Sequence, residues 1–309
     1  MRAALLGLLL WCAAAAAARA GWLRVGAIEL LFLLAPLVVV PLGFELLRKR
    51  VSPADRFLTS ASVLCPFASV LVATSFLLQP GAGAAAFVTP WMLICGLASL
   101  AGLRSALRGG LRSVELACFS VAQLYLVVGG VWLLVSRLGA LPMHFSEPIV
   151  LLTAVHFHYA GFALPILAGS VGGVLEARSS AGKRIFRWVA AGILAGPALV
   201  ATGFVVSPLL KLVAVLILAL GCVALAGFQI VVLRGLRSRM AKALLGVSAG
   251  SVVAGMALAG VYALGDYAAR YWLLIPQMAR SHGPINGIGF ALAGLLAWSL
   301  EARSIQGPR

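Results

Sequence analysis

Only four histidines occur in the 309 residues, and two of them, His156 and His158, sit in "TAVHFHYAGFALP" (Thr153–Pro165), inside a long apolar stretch. Three kinds of chemistry are open to imidazoles so placed. With His282 and a carboxylate, either ring could join a zinc or iron site, which needs three or four convergent N or O ligands. His158 and His282 could serve as the axial ligands of a b-type haem. Without a metal, the histidines would work as acid/base groups tuned by Tyr159, Glu29 and Asp266. On a regular helix, residues two apart point about 200° away from each other, so His156 and His158 cannot grip one metal. His156 and Tyr159, three apart, share a face. Pro165 cannot donate to the carbonyl of Gly161, and Gly161 is itself a weak helix residue, so a bend is expected there, with a free carbonyl beside the histidines. Spacing does not choose among the three. Metal and cofactor stay open, with His156, His158 and His282 as the candidate ligands.

Other polar residues join the list through their depth in the chain. His144 and Glu147 stand just before the same stretch, and Asn286 follows His282 by four. These three are expected to contact substrate. Glu29 lies about two turns inside its own apolar segment, where a pairing with Arg24 is the plainer alternative. The remaining acids, Glu45, Asp55, Glu115, Glu176 and Glu301, fall at or near segment ends beside basic loops and are expected to be solvated or paired with loop arginines.

The elements that must position these groups are membrane helices. The chain is 62% hydrophobic and 10% charged. Apolar runs of about 20 residues recur along its whole length, each long enough to cross a ~30 Å hydrocarbon core. Ten are read: 3–18, 22–47, 57–78, 82–103, 114–135, 148–175, 188–206, 209–233, 244–264 and 284–300. The fold class is therefore an all-α, polytopic transmembrane bundle in a single membrane domain over residues 1–309. Arg2, an apolar run and Ala18-Arg19-Ala20 also fit a signal peptide. Residues 1–20 are thus a first span or a signal-like segment, and nine spans remain if it is cleaved. "YAARYWLLIPQMARS" (Tyr267–Ser281) is too short and interrupted to span, and suits a helix or loop lying at an interface. The five cysteines are scattered singly through apolar runs, with no CxxC, as small buried hydrophobes are.

A net charge of +16 would suggest nucleic acid in a soluble protein. Here the basic residues cluster in short loops between apolar runs, as in loops facing anionic lipid, so nucleic acid is excluded and membrane lipids are the expected partners. Eighteen of the 24 Lys and Arg fall in alternate loops and at the two termini. The positive-inside rule then gives a multi-pass protein of the bacterial cytoplasmic (inner) membrane, with both termini cytoplasmic if the first span is retained. All four histidines, with Glu29, Glu147 and Asp266, map to the outer half. His156 comes roughly 12 Å in from the outer end of its segment. Ionisable groups within spans are costly and face an interior or a water-filled cavity.

"TAVHFHYAGFALPILAG" (Thr153–Gly169) together with "MARSHGPINGIGFALAG" (Met278–Gly294) resembles the YndJ-like family of bacterial membrane proteins, and "LLAPLVVVPLGFELL" (Leu33–Leu47) is compatible with that family's early helix. The resemblance implies a polytopic membrane fold with His156, His158, His282 and Asn286 in the signature, and it names no activity. "HFHY" also resembles a tetrapeptide of haem-copper oxidase subunit I, whose pattern needs six histidines and is rejected here. The one-sided cluster points to a membrane-embedded enzyme using acid/base or metal-assisted chemistry on a lipid-like or isoprenoid substrate. The alternative is a transporter with a proton-coupling histidine cluster. A purely structural or sensing role for the histidines is the third expectation.

Overall fold

The computed structural model describes residues 1–50, 55–176 and 180–306. Arg178 and Arg309 of the basic set lie outside them. Among the described residues, ten helices are long and apolar enough to cross a membrane: α1 (Arg2–Arg19), α2 (Ala27–Arg50), α3 (Arg56–Ser75), α4 (Ala82–Gly110), α5 (Val114–Leu138), α6 (Glu147–Glu176), α7 (Ser180–Val206), α8 (Pro208–Leu233), α9 (Arg239–Tyr267) and α10 (Ile275–Ser304). Among the described residues there is no strand. Helices suit a chain in lipid because each segment satisfies its own backbone. The last span starts nine residues earlier than its apolar run indicates. Ile275–Arg280, expected at an interface, is the opening of α10, and only residues 268–274 form the connection. His282 and Asn286 thus lie within the helix rather than opening it.

Two compact units make up the backbone. The first comprises Met1–Arg112 and Phe119–Ala163, the second Ser113–Cys118 and Leu164–Arg309.

Three helices are far more buried than the rest. In α2, α6 and α10, 83%, 72% and 61% of the most apolar window is buried, against 50% or less in each of the other seven. These same three carry π-helical stretches in the body of the span, Ala35–Val39, Phe157–Ala163 and Ile285–Leu292, whereas the one in α4, Ala106–Gly110, lies at its end. Proline marks each one, as Pro36 within the first, Pro165 two residues past the second and Pro284 just before the third. A proline deletes one backbone donor, and a wider turn lets the ladder slip around the gap. The bend expected near Gly161 takes this form.

Side-chain hydroxyls serve carbonyls in and beside the widened turns. Tyr159 Oη donates to Leu31 O at 2.9 Å, Ser69 Oγ to Pro36 O at 2.6 Å, and Ser248 Oγ to Phe290 O at 3.0 Å. Leu31 O and Pro36 O each face a proline nitrogen five residues on and would otherwise go unpaired, whereas Phe290 O also accepts from Ala293 N.

Each of these helices also ends in a glutamate that holds the start of another helix. Glu45 takes the backbone nitrogen of Met1 and Lys49 Nζ. Glu176 accepts from Val114 N at 2.9 Å and Ser113 Oγ at 3.1 Å, at the start of α5. Glu301 accepts from Arg237 N at 2.9 and 3.0 Å and from Ser238 N at 3.1 Å, at the start of α9. Asp55 caps its own helix through Phe57 N and Leu58 N. Four of the five acids expected to meet solvent or loop arginines thus bind helix N-termini, where unpaired N–H groups and the helix dipole favour a carboxylate.

Candidate functional site

His156 and His158 differ in surroundings as the helix geometry requires. His158 is fully buried. Its Nδ1 lies 2.8 Å from Ala154 O, so it must carry the proton, and Trp91 Nε1–H donates to Nε2 at 3.2 Å. Phe32 meets the ring edge-on at 5.1 Å and Trp91 stacks on it at 5.9 Å. Gly129 is required here, because a Cβ on it would come within 2.7 Å of Nδ1. With both ring nitrogens engaged, His158 has none open to an axial metal bond or to substrate. Tyr159 is buried too, its hydroxyl committed to Leu31 O.

His156 is exposed. Its Nδ1 donates to Leu152 O at 2.7 Å, which fixes the proton there and leaves Nε2 as a free lone pair.

In the same unit, the start of α6 and the end of α5 bring together a charged group. Ser136 Oγ donates to Glu147 Oε1 at 2.5 Å. Its neighbour Arg137 is only 6% exposed, although it ends an apolar span. Arg137 Nη2 donates to Ser75 O at 3.0 Å, the last carbonyl of α3, where a cation is favoured, and to Leu78 O at 2.8 Å in the turn that follows. Glu147 and Glu29 both act electrostatically on Arg137, and Glu29 acts on Glu147. Two atoms of the group are buried and unpaired: the donor Nε of Arg137 and the acceptor Oε2 of Glu147. Behind the group runs an aromatic column. Arg137 Cζ lies 4.7 Å from the Phe76 ring centre, Phe76 is 5.8 Å from Phe32, and Phe32 leads to His158 and Trp91.

His144 does not join Glu147. It is exposed, at φ 62°, next to Met143 at φ 54° in the connection before α6. Glu29 turns its carboxylate over Gly26 at the start of α2, where a Cβ would come within 2.6 Å of Oε2.

His282, Asn286 and Asp266 belong to the other unit. His282 Nδ1 lies 2.9 Å from Gly255 O, and Asn286 Nδ2 donates to His282 O at 2.9 Å. Asp266 pairs with Lys211 at 2.5 Å, and Lys211 lies 4.6 Å over the Phe204 ring. Among the described residues, no three His, Cys, Asp or Glu side chains stand together closely enough to hold a metal ion.

Sequence reading missed Arg137, Ser136 and Trp91. Arg137 was available as a signal: a lone arginine in the last turn of an apolar span, preceded by serine, is not an ordinary loop charge.

The model of the YndJ-like protein family matches residues 30–290, which takes in all of these groups but those before residue 30. The chain belongs to the YndJ-like family. One curated relative, the "Uncharacterized membrane protein YndJ" of Bacillus subtilis (strain 168), is 27% identical over 276 residues. That alignment covers 88% of this chain and 48% of the relative, so the chain spans about half the relative's length. No solved structure matches. Within the matched residues, "HFHY" and "HGPIN" lie in two of the three most buried helices, and "APLVV" is the π-helical stretch of the third.

Proposed function

We propose that this membrane protein is a membrane-embedded enzyme that acts by acid/base chemistry on a lipid-like or isoprenoid substrate. It works from the face opposite the basic loops, which the charge pattern makes the outer face of the bacterial cytoplasmic membrane, with both termini inside. The observation that carries this reading is the unpaired Oε2 of Glu147 beside the buried Arg137. A carboxylate oxygen left without a donor in a low-dielectric setting is a proton acceptor held ready, and a neighbouring guanidinium stabilises negative charge that develops on a reacting group. His156 Nε2 is a second open acceptor, nine residues along the same helix and so roughly 13 Å deeper. His158, Tyr159 and the aromatic column are support that fixes the geometry.

A transporter is the second reading, favoured by the π-helical breaks in the three most buried spans, since carriers build their sites from interrupted helices. One experiment separates the two. Lipid extracts of cells expressing wild type or Glu147→Gln are compared by untargeted mass spectrometry, alongside the purified protein in nanodiscs with the same lipids. A lipid species that is consumed only by wild type, in cells and in nanodiscs, supports the enzyme. Unchanged lipids together with a solute gradient dissipated only by wild-type proteoliposomes would replace it with transport.

A further inference from the structure

The orphaned atoms of Arg137 and Glu147 specify what they bind. Arg137 offers one proton from Nε, and Glu147 offers one acceptor at Oε2; both atoms are buried and unpaired among the described residues. Arg137 Nη2 is committed to Ser75 O and Leu78 O, and Glu147 Oε1 is committed to Ser136, so each side chain is held in place by those bonds. The two charges interact through space. Leaving both a donor and an acceptor unpaired is costly, the more so for charged groups.

We propose that Arg137 and Glu147 form a binding site for a hydroxyl group. An oxygen bearing one hydrogen accepts from Nε and donates to Oε2, which satisfies both atoms at once. An ammonium could donate to Oε2 but has nothing with which to accept from Arg137. A carboxylate or phosphate could accept but not donate. It would also add negative charge to a group of two carboxylates, Glu29 and Glu147, and a single guanidinium. The hydroxyl has two possible sources, a lipid headgroup or a free polyol. Arg137 stands in the last turn of one span and Glu147 opens the next, and the ends of spans lie nearest the headgroups and the aqueous phase, so both sources are tested. The inference rests on the reading of this group as the substrate site and names its substrate class.

The test reads binding alone. Full-length protein in nanodiscs or detergent is offered phosphatidylglycerol and phosphatidylethanol, two lipids of equal charge of which only the first carries headgroup hydroxyls. Native mass spectrometry counts the retained lipid. Free glycerol is tested in parallel by saturation-transfer NMR. The expected result is a preference for phosphatidylglycerol of about tenfold, the effect of one charge-assisted hydrogen bond, lost in Glu147→Gln and in Arg137→Lys. Melting curves of the two variants check folding, and one well-folded variant suffices. A glycerol signal abolished by Glu147→Gln, without lipid preference, supports the same site with a free polyol as its source. Equal retention of both lipids and no glycerol signal in wild type would overturn the proposal and assign the gap to a bound water. Hydroxyl binding without any product would leave this site standing and remove the catalytic reading.

Discussion

His156 and His158 make the same backbone bond and end in opposite states. Each Nδ1 donates to the carbonyl four residues back, at 2.7 Å and 2.8 Å, yet only His158 has its second nitrogen taken, by the Trp91 indole at 3.2 Å. His158→Ala should therefore cost about 2–4 kcal/mol, since it opens a cavity between Phe32 and Trp91 and orphans the indole N–H. His156→Ala should change stability by less than about 0.5 kcal/mol, as an exposed site does. Reversible unfolding in mixed detergent, followed by tryptophan fluorescence, checks both. Equal losses for the two variants would contradict the division of roles.

Tyr159→Phe isolates the hydroxyl that serves Leu31 O. Ala35 N–H turns to Phe32 O, and Pro36 has no N–H to offer, so neither neighbour can take over. The expected loss is about 1–2 kcal/mol, that of a buried carbonyl left unpaired. The same unfolding assay measures it. A Pro36→Ala background, which restores a backbone donor, should shrink the loss.

The ten spans were legible because apolar length is nearly all that a membrane helix requires. Ends were less so: α10 begins at Ile275, beyond its apolar run, since Pro276 and Arg280 interrupt the hydropathy but not the backbone ladder. Pro165 and Gly161 announced an irregularity in α6, and a π-helical stretch is there. What periodicity could not convey was pairing. Asp266 reads as a site acid until Lys211, 55 positions away, is seen beside it. Glu176 and Glu301 read as solvated until they are seen holding backbone N–H groups more than 60 residues away in sequence. The pairing of Arg137 was hidden because its partners, Ser75 O and Leu78 O, are backbone carbonyls that carry no residue signature.

Lys211 and Asp266 should behave as a coupled pair. Their side chains are 13% and 25% exposed, so removing one partner strands a partly buried charge. Lys211→Met or Asp266→Asn alone should cost about 1–3 kcal/mol, and the double variant less than the sum of the two by at least about 1 kcal/mol. A double-mutant cycle on detergent unfolding reads the coupling. Strict additivity would return Asp266 to the pool of groups free for substrate.

Glu301 should control the start of α9. Its carboxylate satisfies the N–H groups of Arg237 and Ser238, and Ser238 in turn caps the helix through Ala241 N at 3.2 Å. Glu301→Gln keeps one acceptor oxygen and loses the charge, while Glu301→Ala strands both donors. Hydrogen exchange at the amides of 237, 238 and 241 should accelerate in Glu301→Ala, by about tenfold for each 1.4 kcal/mol of local stability lost, with Glu301→Gln intermediate. The amides in the middle of α9, held by the helix's own ladder, should keep wild-type protection. If acceleration spread evenly along α9, Glu301 would be supporting the whole helix rather than capping its first turn.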